Sequence, residues 1–377
     1  MEVRIGDSIE CNPTVKLVKG NEYPLIDIDK ISVGRKLVTN KDTIVYEKQS
    51  GCKFQNGDTL MARITPCLEN GKMAMASIPD KGIGSTELFV FRGKKGITDN
   101  DFVYYFLKQS YIRNLAANSM TGASGRQRAD LKFIKKIKFD LPTLPIQQKI
   151  ASTLSAYDRL IENNTRRIRL LEQMAENLYK EWFVRFRFPE HENVEMVNGL
   201  PKRWKVKRYE EELNIRYGKG LSTEQLKEEG YPVFGSNGQI GFYDSYMYDN
   251  PQILISCRGA SSGIVNISLP KSFITSNSLI CERTEKTESL YEYLKYYFLN
   301  NNLVQYQTGS AQPQITINNI VKLKLLVPEL KVQRSFSEKI RVIDMEIYNL
   351  QSQIQLLTRQ RDLLLPRLMS GKLEVKS

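Results

Sequence analysis

The stretch LPTLPIQQKIASTLSAYDRLI at residues 141–161 returns later in the chain as VPELKVQRSFSEKIRVIDMEI at residues 327–347. Gln147 aligns with Gln333, and further identities follow at the same offset along both copies. A constant offset over a span of this length indicates a duplicated unit. With 377 residues, the chain is long enough to hold two domains, each with its own apolar core.

Each copy has the spacing of a helix that packs against another helix. Its apolar residues recur in alternating steps of four and three, which is a sustained heptad pattern. At 1.5 Å per residue, each helix is expected to be roughly 50 Å long. We expect the two helices to bury their apolar seams against each other as an antiparallel coiled coil. The predicted subunit and helix interface consists of Ile150, Leu154, Tyr157, Ile161, Ile168, Leu171, Phe336, Ile340, Ile343, Ile347, Ile354 and Leu357.

Two polar residues, Asn164 and Arg361, interrupt these seams. One interpretation is that the helices are locally exposed to solvent there, and the other is that buried polar side chains fix the register of the pair. Phe188-Pro189 predicts the end of the first helix, and Pro366 with Ser370-Gly371 predicts the end of the second.

The repeat extends upstream of each helix. Thr-Gly turns at Thr121 and Thr308 are each followed by a polar loop and an alternating run that enters the proline, which predicts a strand over LKFIKKIKF at residues 131–139. Further upstream, Arg63 and Arg258 both follow apolar runs rich in β-forming residues, and we align these arginines with each other.

Short strands separated by Gly, Asn and Pro, with one helix in each half at about 99–118 and 289–306, indicate an α+β fold. The predicted order is globule, helix, globule, helix. The expected boundaries are 1–144 for the first globule, 145–188 for the central helix, 189–329 for the second globule and 330–377 for the distal helix.

Composition points to a polyanionic partner and away from several other classes of protein. Fifty-five Lys and Arg residues against 42 Asp and Glu give a net charge of +13, which favours nucleic acid, although a solvated basic surface is the alternative. Five cysteines without a CxxC pair argue against disulfide frameworks and zinc sites. No apolar run is long enough for a membrane helix or a signal core, so we expect a cytoplasmic protein.

The sequence lacks the motifs of an enzyme that acts on DNA. There is no GxxxxGK[ST] phosphate loop, and the Asn-Pro pairs at Asn12 and Asn250 do not continue into a methyltransferase tetrad. Asp80 and Glu87 come nearest to a nuclease cluster, but no lysine stands two residues after Glu87. The single histidine, His191, argues against histidine-dependent catalysis. We therefore predict a binding protein.

The loops of both globules carry the side chains that hold phosphates or read base edges. Arg126 and Arg128 stand out because they lie in a Gly-rich loop beside a lysine-rich run. For each residue taken alone, a solvated or turn-stabilising role is the alternative. The loops differ while their flanks match, which is typical of two modules that read different targets. The candidates are Arg63, Asn70, Lys72, Arg126, Gln127 and Arg128 in the first globule, and Ser236, Asn237, Arg258, Gln312 and Gln314 in the second.

Several stretches together carry a family resemblance. They are GDTLMARITPCLENGK at 57–72, TGSAQPQI at 308–315, the LPxLxxQ entry to each helix (with Val327 as the first residue of the second copy), NLYKEWFVRFRFPEHE at 177–192 and LLLPRLMSGKLEV at 363–375. Through them, the chain resembles the specificity subunit of type I restriction-modification systems over essentially its whole length.

The resemblance implies two target-recognition domains, each contacting one half of a split site in double-stranded DNA. It implies that the two helices also dock two modification subunits. S-adenosylmethionine-dependent adenine methylation, and cleavage and translocation with ATP and Mg by restriction subunits, would then belong to the partners. This chain would be non-catalytic, with no cofactor or metal of its own. YPVFGSNGQIGFYD at 231–244 looks like a second recognition subtype, which implies an asymmetric target.

Three alternatives remain at this point. The chain could serve a methylation-only complex of the same family. A tandem RNA-binding protein would share the basic charge, although RNA binding does not explain the two matched helices. A scaffold that does not bind nucleic acid would use the helices as its working part.

Overall fold

The chain divides into two compact units in the computed structural model. The first is made of Met1–Arg167 and Leu350–Ser377, and the second of Ile168–Asn349. Both divisions fall inside a long helix, so each unit contains one globule and part of both long helices. The structure describes residues 1–39, 42–123, 125–309 and 312–374.

Among its described residues, the first unit contains eleven strands, four short α-helices and the start of a long helix, together with the end of the second long helix. In chain order they are β1 (Glu2–Arg4), α1 (Ile5–Ser8), β2 (Ile9–Cys11), β3 (Glu22–Ile26), β4 (Leu37–Val38), β5 (Thr43–Val45), β6 (Cys52–Gln55), β7 (Thr59–Ala62), β8 (Met73–Ala76), β9 (Lys81–Gly84), β10 (Leu88–Gly93), α2 (Asn100–Lys108), α3 (Ser110–Asn118), α4 (Leu131–Lys136), β11 (Lys138–Asp140) and α5 (Leu144–Tyr179).

A five-stranded sheet of order β2-β10-β7-β8-β4 forms the centre of this globule, and a four-stranded sheet of order β5-β3-β9-β6 lies beside it. Strand β10 shows why the sheet is buried on both faces. Phe89 and Phe91 belong to the core cluster that includes α2, whereas Leu88 and Val90 belong to the cluster that includes the second sheet. Alternate side chains of one strand thus complete two different cores.

The second unit repeats this plan with different accessory strands. Its elements, after the end of α5, are β12 (Met196–Val197), β13 (Leu200–Pro201), β14 (Lys205–Arg208), α6 (Tyr209–Glu212), β15 (Leu213–Tyr217), β16 (Tyr231–Gly235), β17 (Gly238–Tyr243), β18 (Ile253–Ser256), β19 (Val265–Ile267), β20 (Phe273–Ile274), β21 (Ser278–Arg283), α7 (Tyr291–Asn300), α8 (Ile317–Ile320), β22 (Lys324–Val327) and α9 (Leu330–Met369).

Strand order shows that the two globules share one scaffold. The order β2-β10-β7-β8 in the first unit corresponds to β15-β21-β18-β19 in the second, and the pair β1-β11 corresponds to β14-β22. In both units a parallel pair, β3-β9 or β16-β20, lies in the second sheet. The predicted α+β fold, with two globules in tandem and a long helix after each, is confirmed.

The long helices pack as the heptad pattern predicts. Every predicted seam residue is buried or half-buried. In the first unit, Asp158 contacts Arg361 and Asn164 contacts Gln353, so the later residues of α5 meet the earlier residues of α9 and the two run antiparallel. In the second unit, Phe336 of α9 packs against Tyr179 at the end of α5, at a ring-centroid distance of 6.4 Å.

The repeated glutamine of the LPxLxxQ motif ties each long helix to its globule. Gln147 is fully buried; its amide nitrogen donates to the carbonyl of Pro142 at 2.9 Å, and its amide oxygen accepts from the backbone N–H of Asp99 at 3.0 Å. Gln333 makes the same two bonds, to Pro328 at 2.8 Å and from Leu290 at 2.7 Å.

Asp99 and Leu290 are the N-cap residues of α2 and α7. The amide therefore satisfies a free N–H at the start of a helix in each globule, which explains why the motif occurs twice.

The polar residues in the seams are buried, so the solvent-exposure interpretation is wrong. Arg361 is only 2% exposed; its Nη1 lies 2.5 Å from Oδ1 of Asp158, and Oδ2 of the same carboxylate accepts a hydrogen bond from the hydroxyl of Tyr105. Asn164 donates to the side chain of Gln353 at 3.0 Å. Paired polar groups in an apolar seam are satisfied in one register only, which supports the register interpretation.

Several local predictions differ from the structure. The strand predicted over 131–139 begins as helix α4, because the Asp130 side chain accepts from the Lys132 N–H and caps it; only β11 is extended. The helix predicted at 99–118 is two helices, with Gln109 between them, and the helix predicted at 289–306 covers only Tyr291–Asn300. Pro366 lies inside α9 and does not end it, because the helix continues to Met369.

The end of α5 also comes earlier than predicted, since α-helical geometry stops at Tyr179 and a π-helical turn, Lys180–Val184, follows. The four-part domain boundaries stay a prediction, because the compact units divide within the long helices instead. All five cysteines are free; Cys257 and Cys281 are buried and the other three are half-buried. A helix with the length and apolar character needed to span a membrane does not occur in the described ranges.

The buried amide of Gln147 gives a local test. Replacing Gln147 with Ala leaves the Asp99 N–H and the Pro142 carbonyl without partners, a loss that typically costs about 1–3 kcal/mol per buried group. Hydrogen exchange of the peptide spanning 97–102 should therefore accelerate. Gln148→Ala, at the exposed neighbouring position, is the control and should leave that peptide unchanged. Equal exchange in both variants would contradict this function of the amide.

The Asp158–Arg361 pair gives a test of the stability of the whole protein. Arg361→Ala leaves the buried Asp158 carboxylate without its positively charged partner and should destabilise the protein by about 3–5 kcal/mol. The measurement is urea unfolding monitored by circular dichroism. Arg359→Ala removes an exposed arginine from the same helix and should change stability by less than about 0.5 kcal/mol. If both variants unfold at the same urea concentration, the pair does not stabilise the helices.

Candidate nucleic-acid interface

Three of the candidates in the first globule come together around the extended segment that follows β7. Residues 63–65 follow β7 and lie between two neighbouring segments. On one side, the Arg63 N–H donates to the carbonyl of Glu87 at 2.9 Å. On the other, the Thr65 N–H donates to the carbonyl of Gln127 at 3.0 Å, and Ile64 forms an antiparallel bridge with Arg128. The structure thus places Arg63, Gln127 and Arg128 at one edge of the central sheet.

Arg128 is exposed and held by a carboxylate. Its Nε and Nη2 donate to the two oxygens of Glu87 at 2.6–3.1 Å. These hydrogen bonds hold the pKa of the Glu87 carboxyl below its usual range. Glu87 is absent from the binding candidates predicted from sequence. As an isolated acidic residue, it suggests only a nuclease carboxylate. Its position directly before β10, at the same edge as the Gly-rich loop, is visible only in the sheet.

Arg63 differs from the other candidates in its surroundings. Its guanidinium lies over the ring of buried Phe89, 4.9 Å from the centroid, and its Nε is buried without a hydrogen-bond partner in the described part of the chain. The alignment of Arg63 with Arg258 is wrong by one residue. Backbone hydrogen bonds match Arg63 with Cys257, and a shift of one residue moves a strand side chain to the opposite face.

Of the remaining candidates of the first globule, Arg126 adjoins this edge, whereas Asn70 and Lys72 make their hydrogen bonds elsewhere. Asn70 is exposed in a turn, and its backbone N–H donates to the Pro66 carbonyl at 2.9 Å. The ammonium of Lys72 donates to the carbonyl of Ile28 at 3.2 Å, and this residue is half-buried. Arg126 is exposed in the loop before Arg128.

The second globule brings its candidates together at the corresponding edge. Arg258 follows β18 and forms an antiparallel bridge with Gln314. The Cys257 N–H donates to the Asn277 carbonyl at 2.9 Å, and the hydroxyl of Ser236 donates to the same carbonyl at 3.2 Å. Asn237 and Gln312 are exposed beside Ser236 and Gln314 respectively.

One backbone hydrogen-bond pattern positions both edges. A hairpin closes through reciprocal bonds between Thr121 and Arg128, at 3.0 and 3.1 Å, and between Thr308 and Gln314, at 2.8 and 2.9 Å. Arg128 and Gln314 therefore occupy the same position on the same scaffold. The backbone holds each side chain in place, while the side chain itself differs between the two units.

This arrangement suits binding to a polyanion. The exposed candidates carry guanidinium and amide groups, which donate to phosphates and to base edges. Among the described residues, no group of three or more histidine, cysteine or acidic side chains is arranged to hold a metal ion.

Comparison with known proteins identifies a family of similar chains. A family model described as Type I restriction modification DNA specificity domain matches residues 2–173 and 201–358. The type I restriction enzyme MjaVIII specificity subunit of Methanocaldococcus jannaschii is 24% identical, with 100% of this chain and 93% of that protein covered. The MjaIX specificity subunit of the same organism is 26% identical, with 75% and 71% covered.

A solved structure has a similar fold. The S subunit of the type I restriction-modification system from M. genitalium superimposes with a TM-score of 0.57 at 18% identity, covering 98% of this chain and 96% of that one.

Proposed function

The chain belongs to the type I restriction modification DNA specificity family, and we propose that its two globules each read one half of a split, asymmetric DNA site. One observation carries the proposal. At the same backbone position, the first globule presents Arg128 and the second presents Gln314. Because arginine and glutamine recognise different bases, two copies of one scaffold read two different sequences.

Charge supports double-stranded DNA as the target. The chain has a net charge of +13, and phosphate contacts supply most of the affinity of DNA-binding proteins. In this account the subunit selects the site but performs no chemistry, and it acts in the cytoplasm, where chromosomal and incoming DNA are found. Adenine methylation with S-adenosylmethionine belongs to two modification subunits, and cleavage with ATP and Mg belongs to restriction subunits. A methylation-only complex is the second candidate within the family.

The long helices offer a surface for the modification subunits. Their seams are buried, yet several large apolar side chains of α9 remain exposed; Val342 is 71% exposed and Met345 is 66% exposed. Exposed apolar residues that recur along a helix are typical of a protein–protein contact. The others described on this helix are Leu330, Tyr348, Leu356 and Leu363.

A test of docking introduces carboxylates on the exposed apolar face of α9. The double variant Val342→Asp and Met345→Asp should abolish co-purification with the modification subunits, because burying an unpaired carboxylate in an apolar contact is unfavourable. Its circular dichroism should match that of the unchanged protein. Gln355→Asp adds a carboxylate at an exposed polar position of α9 and serves as the control. Normal co-purification of the double variant would exclude this surface from docking.

A test of DNA recognition uses the assembled complex. Footprinting on a bound duplex should show two short protected blocks separated by an unprotected spacer. Affinity should fall linearly in log salt, with a slope near −0.9 per phosphate contacted, because binding releases counterions. One continuous protected block would contradict the split site. Tighter binding of an RNA competitor than of duplex DNA would favour a tandem RNA-binding protein, and the absence of any salt-dependent DNA affinity would favour a scaffold.

A further inference from the structure

Three segments form a row across the sheet edge that carries the candidates in each globule. In the first unit, the dipeptide Arg63-Ile64 lies between Glu87, which pairs with Arg63, and Arg128, which bridges Ile64. The second unit repeats this arrangement. Its counterpart row consists of Asn277, the dipeptide Cys257-Arg258 and Gln314, with Asn277 paired to Cys257 and Gln314 bridged to Arg258.

The match between the rows rests on three pairs of backbone hydrogen bonds that occur in both units. Arg63 N–H to Glu87 carbonyl, at 2.9 Å, corresponds to Cys257 N–H to Asn277 carbonyl, at 2.9 Å. Two more pairs give the same register. They are Ala129 to Arg63 with Ile315 to Cys257, and Thr65 to Gln127 with Gly259 to Pro313. Glu87 therefore corresponds to Asn277 as Arg128 corresponds to Gln314.

The two rows differ in the state of their side chains. In the first, Glu87 holds Arg128 through Nε and Nη2, which is one of the two edges of the guanidinium. The edge formed by Nη1 and the second hydrogen of Nη2 has no partner in the described ranges 1–39, 42–123, 125–309 and 312–374. In the second row, the side chains of Asn277 and Gln314 are exposed and make no hydrogen bond to a described residue.

These free groups match the major-groove edges of different bases. A guanidinium edge donates two hydrogen bonds to O6 and N7 of guanine, whereas a carboxamide pairs with N6 and N7 of adenine. A carboxylate beside the arginine fixes the direction of the fork, because the bidentate contact leaves the guanidinium little freedom to rotate. The first row thus carries a guanidinium fixed by a carboxylate, and the second row carries two free carboxamides beside Arg258.

We infer that these rows determine base identity: Arg128 reads a guanine in one half-site, with Glu87 as its positioning residue, and Gln314 reads an adenine in the other half-site. The inference rests on the proposed function and adds to it the two positions that make the half-sites different. It assigns Glu87 and Asn277 to a recognition surface that the sequence did not indicate.

The test is selection of bound sequences from a randomised duplex library by the complex of the full chain with its subunits. Arg128→Gln should replace guanine by adenine at one position of one half-site, and should leave the other half-site unchanged. Gln314→Arg should make the reverse change in the other half-site. Each preference should shift by roughly tenfold to a hundredfold. Lys95→Gln, which removes an exposed cation from the first unit, is the control and should change neither half-site.

The function of Glu87 has its own readout. Glu87→Gln should lower the guanine preference at that one position without lowering affinity for duplexes of unrelated sequence, because it frees the fork and removes a negative charge. Glu87→Asp keeps the carboxylate and should restore part of the preference. A purely structural contribution would instead lower binding to all sequences together, and that result would exclude Glu87 as a positioning residue.

The outcomes separate the inference from the proposed function. If Arg128→Gln weakens all sequences equally, Arg128 contacts phosphate and the inference is wrong. An unchanged motif in both Arg128→Gln and Gln314→Arg also overturns it, while a split motif in the unchanged protein still supports the proposed function. If the unchanged complex selects no motif at all, both are overturned.

Discussion

The structure depends on the packing of two long helices that each contribute to both compact units. The first globule closes its core with the start of α5 and the end of α9, and the second closes its core with the end of α5 and the start of α9. Buried polar groups give this packing one register. Gln147 and Gln333 join each helix to its globule, and Asp158 meets Arg361 in the seam of the first unit. Apolar seams alone would tolerate a slip of one heptad, whereas these pairs are satisfied at one offset only.

In the proposed function, the backbone positions the recognition side chains and the side chains themselves determine specificity. The strand order, the hairpin bonds and the short bridges recur in both globules, so equivalent positions are held by the same backbone contacts. The side chains at those positions carry different chemistry, as Arg128 and Gln314 illustrate. If this edge reads DNA as proposed, substitution there would change recognition without loss of the buried contacts that stabilise the fold.

Much of the architecture could be predicted from periodicity, since seam positions such as Leu154 and Phe336 are buried because of their spacing. Arg128, Arg258 and Gln314 could be proposed because they lie in loops between matching flanks. The pairing of Asp158 with Arg361 could not, because the two residues are far apart in sequence and meet only when the helices pack. Glu87 and Asn277 reach the edge through sheet pairing, and the register of Arg63 depends on a single residue of alignment that apolar patterning does not define. The helix at α4 was missed because its capping residue, Asp130, outweighs an alternating pattern over a short segment.

The central claim is that this chain selects the site of methylation through two different half-site readers. Genome-wide mapping of adenine methylation, in cells with the gene, without it and with it restored, tests that claim most directly. The account predicts one split, asymmetric motif that is methylated with the gene, unmethylated without it and methylated again on restoration. A methylation pattern that is identical in all three strains, in cells where the modification subunits are expressed, would contradict the account.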